Sequence, residues 1–242
     1  MTTQLDGTAQ ALRERLLEGR FGAAGKLREQ MLAEILSVSR TVIRLALGEL
    51  EKEGLVTREP NKGYRVRSFT LVEVTDAILV RGELEGMAAR LCAERGLRNE
   101  ELNRLHEILK QLDRVLGAGV DTSDARRHVI DLNAAFHDGV IRASGNKSLG
   151  ETITSLSRLP LVSSRAIVFD TQGSAQHDGR LVASQADHYD VLDAIQNRQG
   201  ARAEHIMREH ARRSAENKRI SFDRMRADDL GPGLVGLALV NG

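Results

Sequence analysis

The sequence predicts a mainly α-helical protein in two parts, a small N-terminal domain that ends in a β-hairpin and a larger C-terminal helical bundle. Three observations favour this class. Proline is rare, with 3 residues among 242, which suits long helices. Apolar residues recur at helical spacing over most of the chain, and glycines separate these stretches. Two short β-like segments interrupt the pattern between residues 55 and 69.

Three short helices are predicted at the N-terminus. The first covers about 9–19 and is preceded by Thr8 as a candidate cap, and the second covers about 28–36. Ser39 is a good N-cap for the third helix, which runs to about Lys52. In each of the three, apolar residues fall on one stripe, so each helix has a face to bury.

A β-hairpin follows the third helix. Gly54 ends that helix, and the segments LVTRE and YRVRSF then flank the sequence PNKG. Proline and glycine at these places suit a tight turn between two antiparallel strands. Three short helices followed by a hairpin make a winged helix-turn-helix, and this prediction covers residues 1–68.

The rest of the chain predicts an antiparallel bundle of six or seven helices. Pro160 interrupts the fourth of them and leaves the number open. The bundle domain is placed at 69–225, and 226–242 is set apart as a C-terminal tail. The predicted helices are 71–95, 99–117, 122–143, 147–169, 175–198 and 200–222.

Charge and composition exclude several classes of protein. Residues 1–68 hold 12 basic and 9 acidic side chains, so the remainder hold 23 and 25 of the totals of 35 and 34. This mild asymmetry is compatible with a DNA-binding domain on a near-neutral body. No apolar run approaches the length of a membrane span, and no secretory signal is expected at the N-terminus. The single cysteine, Cys92, cannot form an internal disulfide, and we expect a cytoplasmic protein.

Two arginines mark the start of the third helix. Arg40 and Arg44 are four residues apart and therefore project from the same face. A helix-turn-helix places the N-terminal residues of its second helix against base edges and phosphates, and arginine suits both partners. The alternative is a pair of solvated arginines on an ordinary surface helix.

The sequence around these arginines resembles the winged-helix domain of the GntR family of bacterial transcription regulators. The resemblance covers residues 9–67 and is strongest in the stretch LREQMLAEILSVSRTVIRLALGELEKEGLV. Val42 and Leu45 depart from the usual Pro and Glu of the family, so the preferred operator is expected to differ. The resemblance implies DNA contacts by Arg40, Thr41 and Arg44, and by Gly63 at the wing. Arg28, Ser39 and Lys62 are further candidates for DNA contact.

Three histidines lie on three helices of the predicted bundle. His137, His188 and His210 can meet in its interior, and imidazole suits zinc, nickel, iron or manganese. The alternative is that all three are hydrogen-bonded core or surface histidines without a metal. His205 lies five residues before His210, so its side chain points elsewhere.

Residues 71–222 resemble the FCD ligand-binding domain that follows the winged helix in the FadR subfamily of GntR regulators. The matching segments are VRGELEGMAARLCAERG, FHDGVIRASGNKSL and DHYDVLDAIQNRQGARAEHIMREH. The resemblance implies a divalent metal, such as zinc or nickel, that is held by an aspartate and three histidines together with a carboxylate effector. By position the ligands are Asn133, in place of the aspartate, and His137, His188 and His210.

The fourth ligand position departs from the family in a way that changes the charge of the site. Asn133 supplies a neutral amide oxygen, so we expect weaker metal binding and a stronger preference for an anionic ligand. Asp131 lies six residues before His137 and is turned about 120° away from it around the helix. It is therefore not expected to replace the missing carboxylate.

Arg81 is the candidate partner of the effector. It matches an arginine of the family's first bundle helix, and a guanidinium binds carboxylates through two parallel hydrogen bonds. The alternative is an ordinary helix ion pair with Glu85, four residues further on.

Together these observations predict a DNA-binding transcription regulator, a repressor that binds a pseudo-palindromic operator as a homodimer. A small carboxylate metabolite bound in the helical domain is expected to release or modulate it. A metal-dependent hydrolase would use the histidines to activate water, but HExxH, a nucleophile elbow and a phosphate loop are all absent from the sequence. A nucleoid-type DNA binder would be more basic and would leave the histidines unexplained. No enzymatic activity and no membrane partner are expected.

Overall fold

The computed structural model describes residues 4–22, 24–60, 63–159, 161–167, 175–227 and 239–241, with the backbone alone at 175–178, 224–227 and 241. The described residues divide into two compact units. The N-terminal unit contains those up to Val74 together with 158–159, 161 and 239–241. The bundle unit contains those from Thr75 to Ser157 and from Val162 to Ala227. The predicted class, mainly helical with a small β-sheet wing behind a helix-turn-helix, is confirmed.

Three helices form the N-terminal unit's core. They are α1 (Gln4–Leu17), α2 (Glu29–Leu36) and α3 (Arg40–Lys52). Helix α1 packs on α3, and its Leu12 is buried there, as hydrophobic burial of one helix face requires. The prediction that Thr8 caps α1 is wrong. The helix begins earlier, at Gln4, and the Thr8 hydroxyl donates to the Gln4 carbonyl 2.7 Å away, inside the first turn.

A three-stranded antiparallel sheet forms the wing, in the order β1-β3-β2. Its strands are β1 (Lys26–Leu27), β2 (Val56–Glu59) and β3 (Gly63–Val66). Thr57 of β2 is opposite Arg65 of β3, as the predicted hairpin requires. Two residues are too short to leave a periodic pattern in a sequence, and strand β1 was therefore not predicted. A second, two-stranded parallel sheet pairs β4 (Phe69–Thr70) with β5 (Val240–Asn241).

Six helices form the bundle unit in the described part of the chain. A buried cluster of aliphatic side chains with Phe136 lies between them, and Cys92 belongs to it. No described helix combines the length and apolar character that crossing a membrane requires. The helices are α4 (Leu71–Arg95), α5 (Asn99–Ala118), α6 (Ser123–Ala143), α7 (Lys147–Leu156), α8 (Ala175–Gln196) and α9 (Gly200–Ala227).

The C-terminal ends of two helices differ from the prediction by five residues or more. Helix α7 ends at Leu156, whereas the apolar pattern favoured a helix as far as residue 169. Proline disfavours the helical conformation of the residue before it, and Leu161 has a positive φ of 61°, which ends any helix there. Helix α9 runs to Ala227, five residues beyond its predicted end at 222.

Two glycines bring α4 close to α9. A Cβ at Gly82 would collide with the Cβ of Ala211, and a Cβ at Gly86 would lie 2.8 Å from Cγ of Arg208. Neither site has room for a side chain, so the two helix backbones approach more closely than ordinary residues allow. This contact places Arg81, next to Gly82, against the last helix of the bundle.

Candidate functional site

The N-terminal end of α3 presents two exposed arginines. The hydroxyl of Ser39 accepts a hydrogen bond from the Val42 backbone N–H at 3.3 Å and caps the helix. The side chains of Arg40 and Arg44 are 63% and 61% exposed, on the face that the four-residue spacing predicts. Two cationic side chains therefore stand in solvent at the end of the helix that a helix-turn-helix directs at DNA.

Glu29, at the start of α2, holds both arginines. Its carboxylate accepts two hydrogen bonds from Arg44, at 2.9 Å from Nε and 2.7 Å from Nη2. The guanidinium of Arg40 lies 3.8 Å away from the same carboxylate. The hydrogen bonds from Arg44 and the nearby positive charges lower the pKa of Glu29, so the carboxylate is ionised. Sequence inspection passed over Glu29 because only the packing of α2 on α3 brings it to the arginines.

The remaining residues predicted to contact DNA lie partly within the described chain. Arg28, Thr41 and Gly63 are exposed, and Gly63 adopts a φ of +84° at the start of β3. Lys62 lies outside the described residues. Arg58 on β2 was not predicted, although it is exposed and its charge contributes to the lowered pKa of Glu29. Alternation along β2 would not have identified it, because Arg58 shares a face of the strand with the buried Val56.

In the bundle unit, His137, His188 and His210 meet as the sequence predicts. They come from α6, α8 and α9, and one ligand atom from each lies within 4.8 Å of the other two. All three are buried, and their ring centroids are 4.7–5.3 Å apart. The ring of Phe136 packs on His188 with centroids 4.6 Å apart. We call these three residues the histidine cluster.

His188 is held by a chain of hydrogen bonds from α5. The side-chain amide of Gln185 donates to the Leu109 carbonyl at 2.9 Å and to Asp113 at 2.8 Å. Its carbonyl oxygen therefore faces Nδ1 of His188, 3.2 Å away. An amide oxygen only accepts, so Nδ1 carries the proton and Nε2 has the lone pair. That Nε2 is buried and has no hydrogen-bond partner among the described residues.

Carboxylates hold the other two histidines in the same way. Nδ1 of His137 lies 3.0 Å from Glu85, and Nδ1 of His210 lies 3.2 Å from Asp187. Burial opposes the ionisation of Glu85, but the charge of Arg81 and the hydrogen bond from His137 outweigh it and lower its pKa to about 2. The pKa of Asp187 is also lowered, because its hydrogen bonds to His210 and an arginine outweigh its burial. Both carboxylates accept the proton of the facing Nδ1.

The donor set fits a divalent metal. In all three histidines Nδ1 is engaged by an acceptor, so a neutral ring offers its Nε2 lone pair, the arrangement typical of metal-bound histidine. Burial, and then the neighbouring rings, lower the pKa of His188 well below its usual value. Burial also lowers the pKa of His210, and both rings are neutral at pH 7. The unpartnered Nε2 of His188 is costly without a ligand, since a buried polar atom needs a partner.

Asn133 lies one turn before His137 and lines a cavity of the bundle unit that adjoins the histidine cluster. It is buried, and its amide donates to the Ser164 carbonyl at 2.8 Å. Asp131 is exposed and pairs with Arg165 at 2.6 Å, which agrees with the angle that the sequence predicts for it. The histidine cluster therefore has a neutral amide beside it at this position on α6.

A cavity of about 240 Å³ in the bundle unit adjoins the histidine cluster. Arg81 lines it and is 2% exposed, with Nε 3.5 Å from Glu85. Two of its nitrogens, Nε and Nη1, are buried without a hydrogen-bond partner in the described residues. The predicted ion pair with Glu85 thus exists, and hydrogen-bonding capacity on Arg81 remains. Lys218 on α9 also lines the cavity and is buried, and it was not predicted.

Comparison with known protein families assigns both parts of the chain. Residues 5–66 match the family of bacterial regulatory proteins named gntR, and residues 76–213 match the FCD domain family. The second match alone covers more than half of the chain. The two matches lie on the segments that contain the helix-turn-helix and the histidine cluster.

Relatives of this chain are also named as transcription regulators. The YdhC regulator of Bacillus subtilis is 29% identical over 138 residues, 57% of this chain and 59% of that protein. The probable D-xylose utilization operon transcriptional repressor of Paenarthrobacter nicotinovorans is 28% identical over 81% of this chain and 80% of its own length. The repressor GlaR of Escherichia coli K12 is 28% identical over 86% of this chain and 92% of its own length.

Solved structures share the fold. McbR/YncC of E. coli superposes with a TM-score of 0.63 at 21% identity, over 93% of this chain and 99% of that one. A GntR regulator from Rhodococcus sp. RHA1 gives a TM-score of 0.58 at 19% identity, over 88% and 96%. The domain families and relatives identify a regulator and not an enzyme. The chain belongs to the GntR family of DNA-binding transcription regulators, and it carries an FCD domain.

Proposed function

We propose that this regulator binds a pseudo-palindromic operator as a homodimer and acts as a repressor. A small carboxylate bound beside a divalent metal in the bundle unit modulates its affinity for DNA. The observation that carries the proposal is the histidine cluster, in which three buried rings each have Nδ1 engaged by an acceptor. A core histidine needs only a partner for its polar atoms, but three adjacent rings with Nδ1 engaged, and with Nε2 of His188 unpartnered among the described residues, make a ligand set.

The DNA contacts are assigned to the start of α3 and to the wing. Arg40 and Arg44 are the residues that contact base edges or phosphates in the major groove. Ser39 and Thr41 suit phosphate oxygens, and Arg28 stands at the neighbouring start of α2. The wing contributes Gly63 and, from the sequence, Lys62. Because Glu29 occupies the guanidinium of Arg44, DNA has to displace this carboxylate or share the arginine with it.

The metal is assigned to the histidine cluster and Asn133. Three imidazoles and an amide are all neutral, so the site keeps the full charge of the ion, and zinc or nickel suits such nitrogen donors. When bound, the metal supplies a positive centre that a carboxylate oxygen can complete. The chain's own residues fix the ring orientations through Glu85, Gln185 and Asp187.

The effector is assigned to the cavity, with Arg81 as the partner of an anionic group such as a carboxylate. A buried guanidinium with two unpartnered nitrogens favours an anionic ligand, because such a ligand satisfies both hydrogen bonds and charge. Effector binding and operator binding are then thermodynamically linked. An effector that binds the low-affinity form more tightly weakens operator binding by a factor no larger than its own preference.

The DNA assignment is tested on operator sites selected from a random pool. We expect Arg40→Ala and Arg44→Ala each to weaken operator binding by about 1–3 kcal/mol, because a base contact is lost. Fluorescence anisotropy at a fixed salt concentration measures the change. Lys52→Ala is the matched control, because its side chain is 72% exposed at the opposite end of the same helix. Wild-type operator affinity in both arginine variants would show that the start of α3 does not contact the operator.

The metal assignment is tested on protein purified without an affinity tag. We expect the wild type to bind close to one equivalent of zinc or nickel per chain, and His188→Ala to lose most of it, since one of three imidazoles is gone. Elemental analysis after metal supplementation and dialysis gives the stoichiometry. His205→Ala is the control, because this exposed histidine lies on α9 outside the cluster. A wild type that carries less than about a tenth of an equivalent contradicts the assignment.

A further inference from the structure

The charges around the cavity are unequal. Four basic and two acidic side chains line it. The basic residues are Arg81, Arg180, Arg213 and Lys218, and the acidic residues are Asp187 and Glu216. A cavity lined in this way favours a negatively charged occupant.

Both acidic residues already have partners. Asp187 is in a close ion pair with Arg213 and accepts from His210 at 3.2 Å. Glu216 is bound by Arg219, with nitrogen and oxygen 2.7 Å apart. Their charges are therefore largely compensated by these partners. The excess positive charge lies on the other basic side chains that line the cavity.

Lys218 is the buried lysine among these side chains. It is 7% exposed, and its ammonium donates to the Ser214 hydroxyl at 3.3 Å, which brings no opposite charge. Within the described chain no carboxylate lies in ion-pair distance of it. Burial, and then the charge of Arg81, lower the pKa of Lys218 to about 7. Glu85 is the one carboxylate in ion-pair distance of Arg81 within the described chain, so these two neighbouring buried cations have a single anion between them and a second anion stabilises them.

Glu85 separates Arg81 from the side of the histidine cluster that faces the proposed metal. Its Nε lies 3.5 Å from one oxygen of Glu85, whose other oxygen lies 3.0 Å from Nδ1 of His137. A metal takes Nε2, the other nitrogen of that ring. Glu85 therefore lies between Arg81 and the cluster, and an anion at Arg81 is distinct from one that completes the metal's coordination.

We propose that Arg81 and Lys218 form a second anion subsite of the cavity, and that the effector is a small acid with two anionic groups. This inference rests on the proposed function, because one carboxylate is assigned to the histidine cluster. The other anionic group lies between the guanidinium and the ammonium. It satisfies the unpartnered Nε and Nη1 of Arg81 and compensates Lys218. A second carboxylate or a phosphate has the required charge and acceptor atoms.

The test compares acids that differ only in the second charge. Metal-loaded wild-type protein is titrated by calorimetry with succinate and with butyrate, which share a four-carbon chain. Dicarboxylates of three to six carbons are each compared with the monocarboxylate of equal length, and 3-phosphoglycerate tests a phosphate at the second position. We expect at least one two-charged acid to bind about ten- to hundredfold more tightly than its singly charged partner.

The variant Lys218→Met removes the charge and keeps an unbranched side chain. We expect it to lose about ten- to hundredfold in affinity for the two-charged acid and to bind the monocarboxylate as the wild type does. Lys218→Arg keeps the charge and retains the preference. Lys147→Met is the control for removing a lysine, because that side chain is 90% exposed on α7. Melting temperatures identify any variant that has not folded, and the wild-type comparison requires no variant.

Two results overturn the proposal. One is equal binding of singly and doubly charged acids at every chain length, or binding of neither. The other is a folded Lys218→Met variant that retains the preference for two charges. Metal content measured on the same preparation separates these results from failure of the proposed function. A loaded protein that binds monocarboxylates alone keeps its metal and effector assignments and loses only the second subsite.

Discussion

At the scale of single residues, the groups behind the histidines decide what the histidine cluster can do. Each ring nitrogen Nδ1 faces an acceptor, and for His188 that acceptor is the amide of Gln185. The amide is itself fixed by its donation to Leu109 and Asp113, so its oxygen has one direction available. One side chain on α8 thereby determines the tautomer of His188, one turn away.

This arrangement makes Gln185→Ala a sharp test at the same scale. We expect the variant to bind zinc or nickel about ten- to hundredfold more weakly, because His188 loses the acceptor that keeps its proton on Nδ1. Competition with a chelator of known affinity measures the change. Gln196→Ala, an exposed position at the end of the same helix, is expected to bind as the wild type does. Equal affinities for the two variants would show that the amide does not orient the ring.

The sequence predicts which histidines meet but not what surrounds them. His137, His188 and His210 were identifiable because a resemblance and their placement on helices agree. The partners Gln185 and Asp187 adjoin His188 in sequence, yet their roles depend on which way the side chains turn between α5, α8 and α9. Sequence spacing gives the face of a helix and leaves the rotamer and the neighbouring helix open.

At the scale of elements, the approach of α4 to α9 positions one side of the cavity. The two helices touch at Gly82 and Gly86, where a Cβ would meet atoms of α9. Arg81 and Glu85 lie within one residue of these glycines. The distance between the two helices therefore determines the positions of the Arg81 guanidinium and the Glu85 carboxylate. The glycines weaken α4 as an isolated helix by about 1 kcal/mol each, and the packing that they permit offsets this cost.

We therefore expect Gly82→Ala to lower the free energy of unfolding by about 1–3 kcal/mol, because the added methyl group collides with Ala211. Urea unfolding followed by circular dichroism measures the change. Gly117→Ala, on α5 where a Cβ meets nothing within 4 Å, provides the matched control. It is expected to raise stability by about 0.5–1 kcal/mol, since alanine favours helix over glycine. The prediction is wrong if both substitutions stabilise the protein.

The helices were predicted from the periodicity of apolar residues, and their ends show that this periodicity does not determine where a helix stops. The six bundle helices have a clear apolar stripe, but α7 stops at Leu156 although the apolar pattern continues. The backbone restriction before Pro160 and the positive φ of Leu161 outweigh the pattern. Strand β1 is two residues long and pairs with β3 through its backbone, so its side chains carry too little information to reveal it.

At the scale of the whole molecule, a DNA-binding domain and an FCD domain lie on one chain. The proposed regulation by a bound acid requires an energetic link between acid binding and DNA binding, and this link has a definite magnitude. If a bound acid weakens operator binding by a given factor, bound operator weakens acid binding by the same factor. This equality follows from thermodynamics and does not depend on how the two domains are arranged.

The reciprocity can be measured directly once an effective acid is known. We expect calorimetric titration of the acid into free protein and into the operator complex to give affinities that differ by about 5–150-fold. Anisotropy titrations of operator with and without saturating acid should give the same ratio. A mutated operator that does not bind is the control for non-specific effects of DNA. An acid whose affinity is the same in both titrations is bound without being an effector.

If Arg44 contacts DNA as proposed, its ion pair with Glu29 shortens the time that the protein spends on non-operator DNA. A carboxylate that already fills the guanidinium fork turns contact with an arbitrary phosphate into an exchange of one acceptor for another, with little net gain. Genomic DNA offers far more arbitrary sites than operators, so retention on them slows the search. Glu29 thus acts as an internal substitute for phosphate. It shortens the time that the protein stays at each non-operator site. At an operator, the matching base edges compensate Arg44 for the loss of its ion pair with Glu29.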